Sequence, residues 1–81
     1  MLNPREILNR FRWSEGLGLE NLEICYIHRG APNDLKWIDG SDITETGKSF
    51  FSVGPIKIPY HRIVKIKIKG KNTIYLRSGE K

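Results

Sequence analysis

Residues 61–70 read HRIVKIKIKG, and within them Val64, Ile66 and Ile68 alternate with Lys65, Lys67 and Lys69. An apolar residue at every second position predicts a strand with one face in the core and the other face basic. Counting back by two puts His61 on the lysine face. Arg62 falls on the apolar face, unless Pro59 bends the chain or a bulge re-aims it. Ile63 interrupts the polar alternation.

The segments around this strand predict one helix and several short strands. LNPREILNRFRW has Asn3 as N-cap, Pro4 at the first helical position and Glu6 three residues on, which is a capping box. Leu2 and Ile7 would form the hydrophobic staple. Ile7, Leu8 and Phe11 make the buried stripe, with Arg5, Asn9 and Arg12 roughly opposite. The helix should end near Trp13, before Ser14, Gly16 and Gly18. Strands are expected at 22–29, 35–38, 49–53, 56–58, 61–70 and 73–77, separated by GAPND, Asp39-Gly40, Gly54-Pro55 and Gly70-Lys71-Asn72. Pro59 marks an edge or a bulge. The expected class is α+β: an N-terminal helix packed on a small, strongly bent, mainly antiparallel sheet of about five strands.

The 81 residues are read as a single domain, with room for one modest core and shallow surface sites. Apolar content of 38% supports globular folding. Cys25 is the only cysteine, so no intramolecular disulfide forms and a reducing compartment is indicated. No apolar run approaches the roughly 20 residues that span a bilayer. No signal peptide is recognisable in MLNPREIL. A cytoplasmic protein is the expectation.

Charge is divided unevenly along the chain. Residues 1–45 hold five Lys/Arg against eight acids, whereas residues 46–81 hold nine against Glu80 alone. Such a basic half, with no carboxylate between Glu45 and Glu80, is the footprint of a polyanionic partner, or else a solvated strand face.

Both histidines of the chain lie beside a tyrosine and an arginine, in YIHRGAP (26–32) and PYHR (59–62). Arginine offers a planar fork of donors that matches phosphate oxygens, and protonated histidine donates from both nitrogens. Tyrosine supplies a hydroxyl or a face on which an unpaired base stacks. The plain alternative makes Tyr26 and Tyr60 core aromatics and the histidines structural donors. Other constellations are weak. Two His and one Cys match no zinc spacing, the glycines form no phosphate-binding loop, and Asp34, Asp39, Asp42 and Glu45 lack calcium-loop spacing. Trp13 and Trp37 are expected at the core or its edge, ahead of the alternative that they stack on a ligand.

Four blocks, ILNRFRW (7–13), YIHRGAPND (26–34), DGSDI (39–43) and IPYHRI (58–63), give the chain a resemblance to a family. In order and spacing it resembles the RNA cyclic group end recognition domain, a family of small proteins common in archaea. The resemblance runs from about residue 2 to residue 77. It implies a domain that elsewhere is fused to phosphoesterases and nucleotidyltransferases of RNA processing. It further implies a proposed role in recognising RNA ends that carry a cyclic phosphate or related terminus. The positions it marks are Arg12 and Trp13, then Tyr26, His28 and Arg29, then Tyr60, His61 and Arg62. The family pattern has a tryptophan near the end of the final strand, where this chain has Tyr75.

The favoured expectation is a non-catalytic domain that binds processed, single-stranded RNA termini in RNA processing or repair, without cofactor, metal or membrane. His28, Arg29, His61 and Arg62 would cradle a terminal phosphate in one shared site, with Arg12, Tyr26 and Tyr60 around it. Lys65, Lys67 and Lys69 would hold the adjoining backbone. RNA-processing enzymes are further expected partners. One alternative is a metal-independent phosphoesterase or ribonuclease with His28 and His61 as acid and base. Two-histidine phosphoesterases repeat His-x-Ser/Thr, however, and here each histidine is followed by Arg. Another alternative is an accessory protein-interaction module that presents its basic strand face to an acidic partner.

Overall fold

Asn3 starts the first helix by capping it. Its Oδ1 accepts from the Glu6 amide at 2.8 Å, and Glu6 Oε1 accepts from the Asn3 amide at 3.4 Å. Two of the orphan donors of the first turn are thereby satisfied. The structure is a computed structural model that describes residues 3–13, 16 and 18–77. Helix α1 spans Pro4–Trp13, buries Ile7 and Leu8, and packs Phe11 at the core edge. The staple partner Leu2 lies outside the described residues.

Seven strands follow in two antiparallel sheets. Strands β1 (Leu22–Ile27), β2 (Leu35–Asp39), β6 (Ile63–Ile68) and β7 (Thr73–Leu76) form a sheet in the order β2-β1-β6-β7. Strands β3 (Glu45–Thr46), β4 (Phe50–Val53) and β5 (Ile56–Pro59) form a second, in the order β3-β4-β5. The class is α+β, as the pattern predicts. The strands divide into two sheets instead of bending as one, and β3 is too short to leave a periodic trace in the sequence.

The register explains why Ile63 disturbs the alternation. Lys65 pairs with Cys25 and Ile63 with Tyr26, so Val64 is an extra residue on β6, a β-bulge. The bulge returns Ile63 to the inner face, in line with Ile66 and Ile68 opposite Ile24 and Leu22. That inner face meets Ile7 and Leu8 of α1 and Phe51, Ile58 and Tyr60 of the second sheet in one core. Gly40 lets the 3₁₀ turn after β2 press against the chain before β1. A Cβ there would lie 1.9 Å from the Leu19 carbonyl oxygen.

On the outer face of the four-stranded sheet the β2 side chains Leu35 and Trp37 remain exposed. Leu35, Trp37 and Asp39 stand beside Ile27, Cys25 and Glu23, and the last two stand beside Lys65 and Lys67. Trp37 is 49% exposed there and Trp13, off the helix stripe, is 73% exposed. Neither is a core residue, contrary to expectation. Among the described residues no helix is long and apolar enough to cross a membrane.

Candidate nucleic-acid interface

The segment that carries His61 is not part of a strand. Pro59 ends β5, and Tyr60–Arg62 make one 3₁₀ turn before β6 begins at Ile63. The turn and the bulge at Val64 together cancel the count that put His61 on the lysine face. Tyr60 is the anchor of this turn. Its ring is buried beside Phe51, with centroids 5.7 Å apart, and its hydroxyl donates to the Gly47 carbonyl at 2.7 Å. Its amide donates to the Ser49 carbonyl. Gly47 in turn donates to the Phe50 carbonyl, which a Cβ at that position would approach to 2.8 Å. One tyrosine thus ties the β3–β4 loop to the histidine turn.

Helix α1 closes the other side. Burial pushes the Tyr60 phenol pKa up, while the nearby Arg5 and Arg12 guanidiniums act to lower it. The result is a hollow of about 310 Å³ where Arg5, Lys48 and His61 meet Ser49, Tyr60 and Tyr75, with Asn3 and Pro4 of the helix start. Arg5, Lys48 and the His61 imidazole converge from three chain segments, and no carboxylate among the described residues lines the space. The positive end of the α1 dipole adds to the field.

The other histidine is presented differently. Strand β1 ends at Ile27, so His28 and Arg29 fall in the loop to β2. That loop binds itself: His28 N–H donates to the Asp34 carbonyl, Asp34 N–H to Ala31, and Ala31 N–H to His28. Gly30, Asn33 and Asp34 adopt positive φ of 96°, 58° and 57°, which these residue types tolerate best. The GAPND block is therefore spent on loop geometry. His28 is exposed, and its ring edge meets the buried Tyr26 ring at 5.9 Å. A second hollow of about 540 Å³ lies here, lined by His28, Arg29, Lys36 and Trp37, with Gly30, Ala31, Pro32 and Leu35.

The two blocks share an end of the sheet but not a site. Tyr26 pairs with Ile63, which places His28 and the Tyr60–Arg62 turn at the same end of the β1–β6 pair. Each histidine nevertheless lines its own hollow, because β1 continues toward β2 while the Tyr60 turn comes from the second sheet and contacts α1. Burial at 6% and 8% makes Tyr26 and Tyr60 supports, with no face free for stacking. Arg62 is exposed and lines neither hollow. Arg12 lies over the ring of its neighbour Trp13, 4.9 Å from the centroid.

The lysine face is shared with acids from the neighbouring strands. Lys69 forms an ion pair with Asp39, and Lys67 stands opposite Glu23. Asp39 is held at a pKa of about 2 by its hydrogen bond from Lys69 and by those from Ser41. Lys65 is partly buried beside Cys25, whose thiol pKa burial pushes up. Arg5, Lys48, Tyr75, Lys36 and Trp37 were not among the residues picked out by sequence. The carboxylate-free stretch around Lys48 and the family tryptophan position that Tyr75 occupies were the signals for two of them.

Comparison with known proteins places this chain in a family. Residues 1–77 match the family described as the MJ1316 RNA cyclic group end recognition domain. The chain belongs to this family. A UPF0248 protein of Methanococcus maripaludis is 34% identical over 76 residues, covering 94% of this chain and 90% of that protein. A UPF0248 protein of Pyrobaculum islandicum is 33% identical over 79 residues, covering 93% and 89%. A third, of Pyrococcus furiosus, is 31% identical over 71 residues, covering 88% and 83%. No solved structure matches the chain. The family is the one that the four sequence blocks resemble.

Proposed function

We propose that the domain binds processed RNA termini, a 2′,3′-cyclic phosphate or related phosphate end, and that the hollow at the start of α1 takes the terminal phosphate. The observation that carries this reading is the convergence of Arg5, Lys48 and His61 on one space that no carboxylate among the described residues lines. The Arg5 and Lys48 cations around a phosphate-sized pocket suit a doubly or singly charged phosphate better than a neutral ligand. The family description supports RNA as the carrier of that phosphate. Arg62, exposed at the shared end of the sheet, would meet the adjoining backbone, and Lys65 would extend the field. A catalytic His28/His61 pair requires both imidazoles at one phosphate, and their separate hollows weigh against it.

Fluorescence anisotropy with one RNA sequence ending in cyclic phosphate, open phosphate or hydroxyl tests the reading. The phosphate ends should bind more tightly, and Arg5→Ala, Lys48→Ala or His61→Ala should erase the difference. Binding should weaken steeply with salt as phosphate contacts release counterions. Equal affinity of the wild type for all three ends would leave only general RNA binding.

A further inference from the structure

We infer that the second hollow is a stacking subsite for an unpaired nucleobase, with Trp37 as its platform and His28, Arg29 and Lys36 holding the flanking phosphate. The inference rests on the RNA-binding reading above and assigns a second nucleotide position to it.

Trp37 lies in the middle of β2 on the outer face, 49% exposed, although this small chain has a core that buries other large rings. Its place is fixed by register against Cys25, itself only 3% exposed, so the neighbours on that face close over the thiol and hold the row in place. Leu35, exposed to 38%, and Pro32 extend the apolar floor. Every charged side chain that lines the hollow is basic or imidazole. An exposed indole on one side of β2 with basic side chains lining the same hollow at the sheet edge is the chemistry that binds single-stranded nucleic acid through stacking and backbone charge together. An apolar protein partner would offer nothing to the Arg29 and Lys36 charges that line the hollow. The loop that supplies His28 and Arg29 is braced by three backbone hydrogen bonds of its own, so little ordering is needed when a nucleotide binds.

The test uses the whole chain with Trp13→Phe, which leaves Trp37 as the only tryptophan. Single-stranded oligoadenylate should quench Trp37 emission saturably, whereas the same backbone carrying an abasic residue in place of the base should not. In that background Trp37→Ala should weaken oligonucleotide binding by roughly 10- to 100-fold without altering the salt slope. Trp37→Phe, which keeps a stacking ring, should lose far less, and circular dichroism melts verify that both variants fold. Unchanged affinity in a folded Trp37→Ala variant would overturn the subsite while leaving the terminal-phosphate reading standing. So would equal quenching by abasic and base-bearing strands. Failure of the wild type to bind any RNA would overturn both readings. A concentration-dependent blue shift of Trp37 emission without oligonucleotide response would mark the face as a surface between copies of the chain and overturn the subsite.

Discussion

The two Tyr/His/Arg blocks are near-duplicates in sequence and opposites in construction. In the first, Tyr26 belongs to a strand and packs on its own histidine, while the loop that follows is held by its own backbone bonds. In the second, Tyr60 is a cross-link: its ring enters the core and its hydroxyl and amide grip the β3–β4 loop. The first histidine is therefore positioned locally and the second by long-range contacts. The difference teaches that a repeated residue set need not mean a repeated site. It also says where each site is vulnerable.

The largest effect should come from removing the two tyrosines. Each truncation deletes a buried aromatic, so Tyr60→Ala and Tyr26→Ala should each cost about 3 kcal/mol in denaturant unfolding. Their consequences for binding should part. Tyr60→Ala releases Lys48 and should abolish discrimination between phosphate and hydroxyl ends. Tyr26→Ala leaves both the 28–34 loop and the other hollow tied, and should keep it. The reverse pattern would break the comparison.

Charge removal should sharpen it at the next level down. Lys48→Ala should weaken cyclic-phosphate RNA by about tenfold and hydroxyl-ended RNA little, because a charge-assisted bond to the terminal group is worth about 1.5 kcal/mol or more. Arg29→Ala or Lys36→Ala should weaken both RNAs alike, since their hollow would hold an internal nucleotide. Titrations of the two RNAs side by side measure the split.

Much of this was legible from the chain alone, for reasons that are local. The capping box at Asn3 and Glu6, the helix stripe, the β6–β7 hairpin and most strands depend on residues near one another in sequence. What was not legible depends on neighbours across strands. Counting along β6 showed lysines at 65, 67 and 69 but not that Asp39 and Glu23 share their face. The broken alternation at Ile63 allowed for a bulge, but a period-2 count alone does not place it at Val64. Arg5 read as a solvent-facing helix residue because nothing in the sequence says that Lys48 and His61 come to meet it. Trp37 read as core-edge because aromatic residues usually are.

A smaller effect isolates the cross-link itself. Tyr60→Phe keeps the ring and loses only the hydroxyl bond to the Gly47 carbonyl, so it should cost about 1 kcal/mol. Tyr26→Phe keeps the ring that meets His28 and should cost less. If the two phenylalanine variants have equal stability, the hydroxyl bond is not what holds the loop.

The smallest effect concerns the far end of the outer face, where Asp39 and Lys69 pair. The folded-state pKa of Asp39 is lowered from 3.8 to about 2, so its contribution is fully present above pH 3.8 and is lost as pH falls through about 2. Asp39→Asn should therefore be slightly less stable than wild type at pH 5, with the gap closing between pH 3.8 and about 2 in urea titrations. The same variant tests how far the interface extends. It frees Lys69, and if RNA stays at the end of the sheet that holds the two hollows, affinity should change by less than about twofold, as for a charge outside the contact. A gain in affinity with a salt slope steeper by about one unit would mean that a phosphate reaches Lys69. The lysine face would then belong to the interface, and the neutralising acids would be a brake on it.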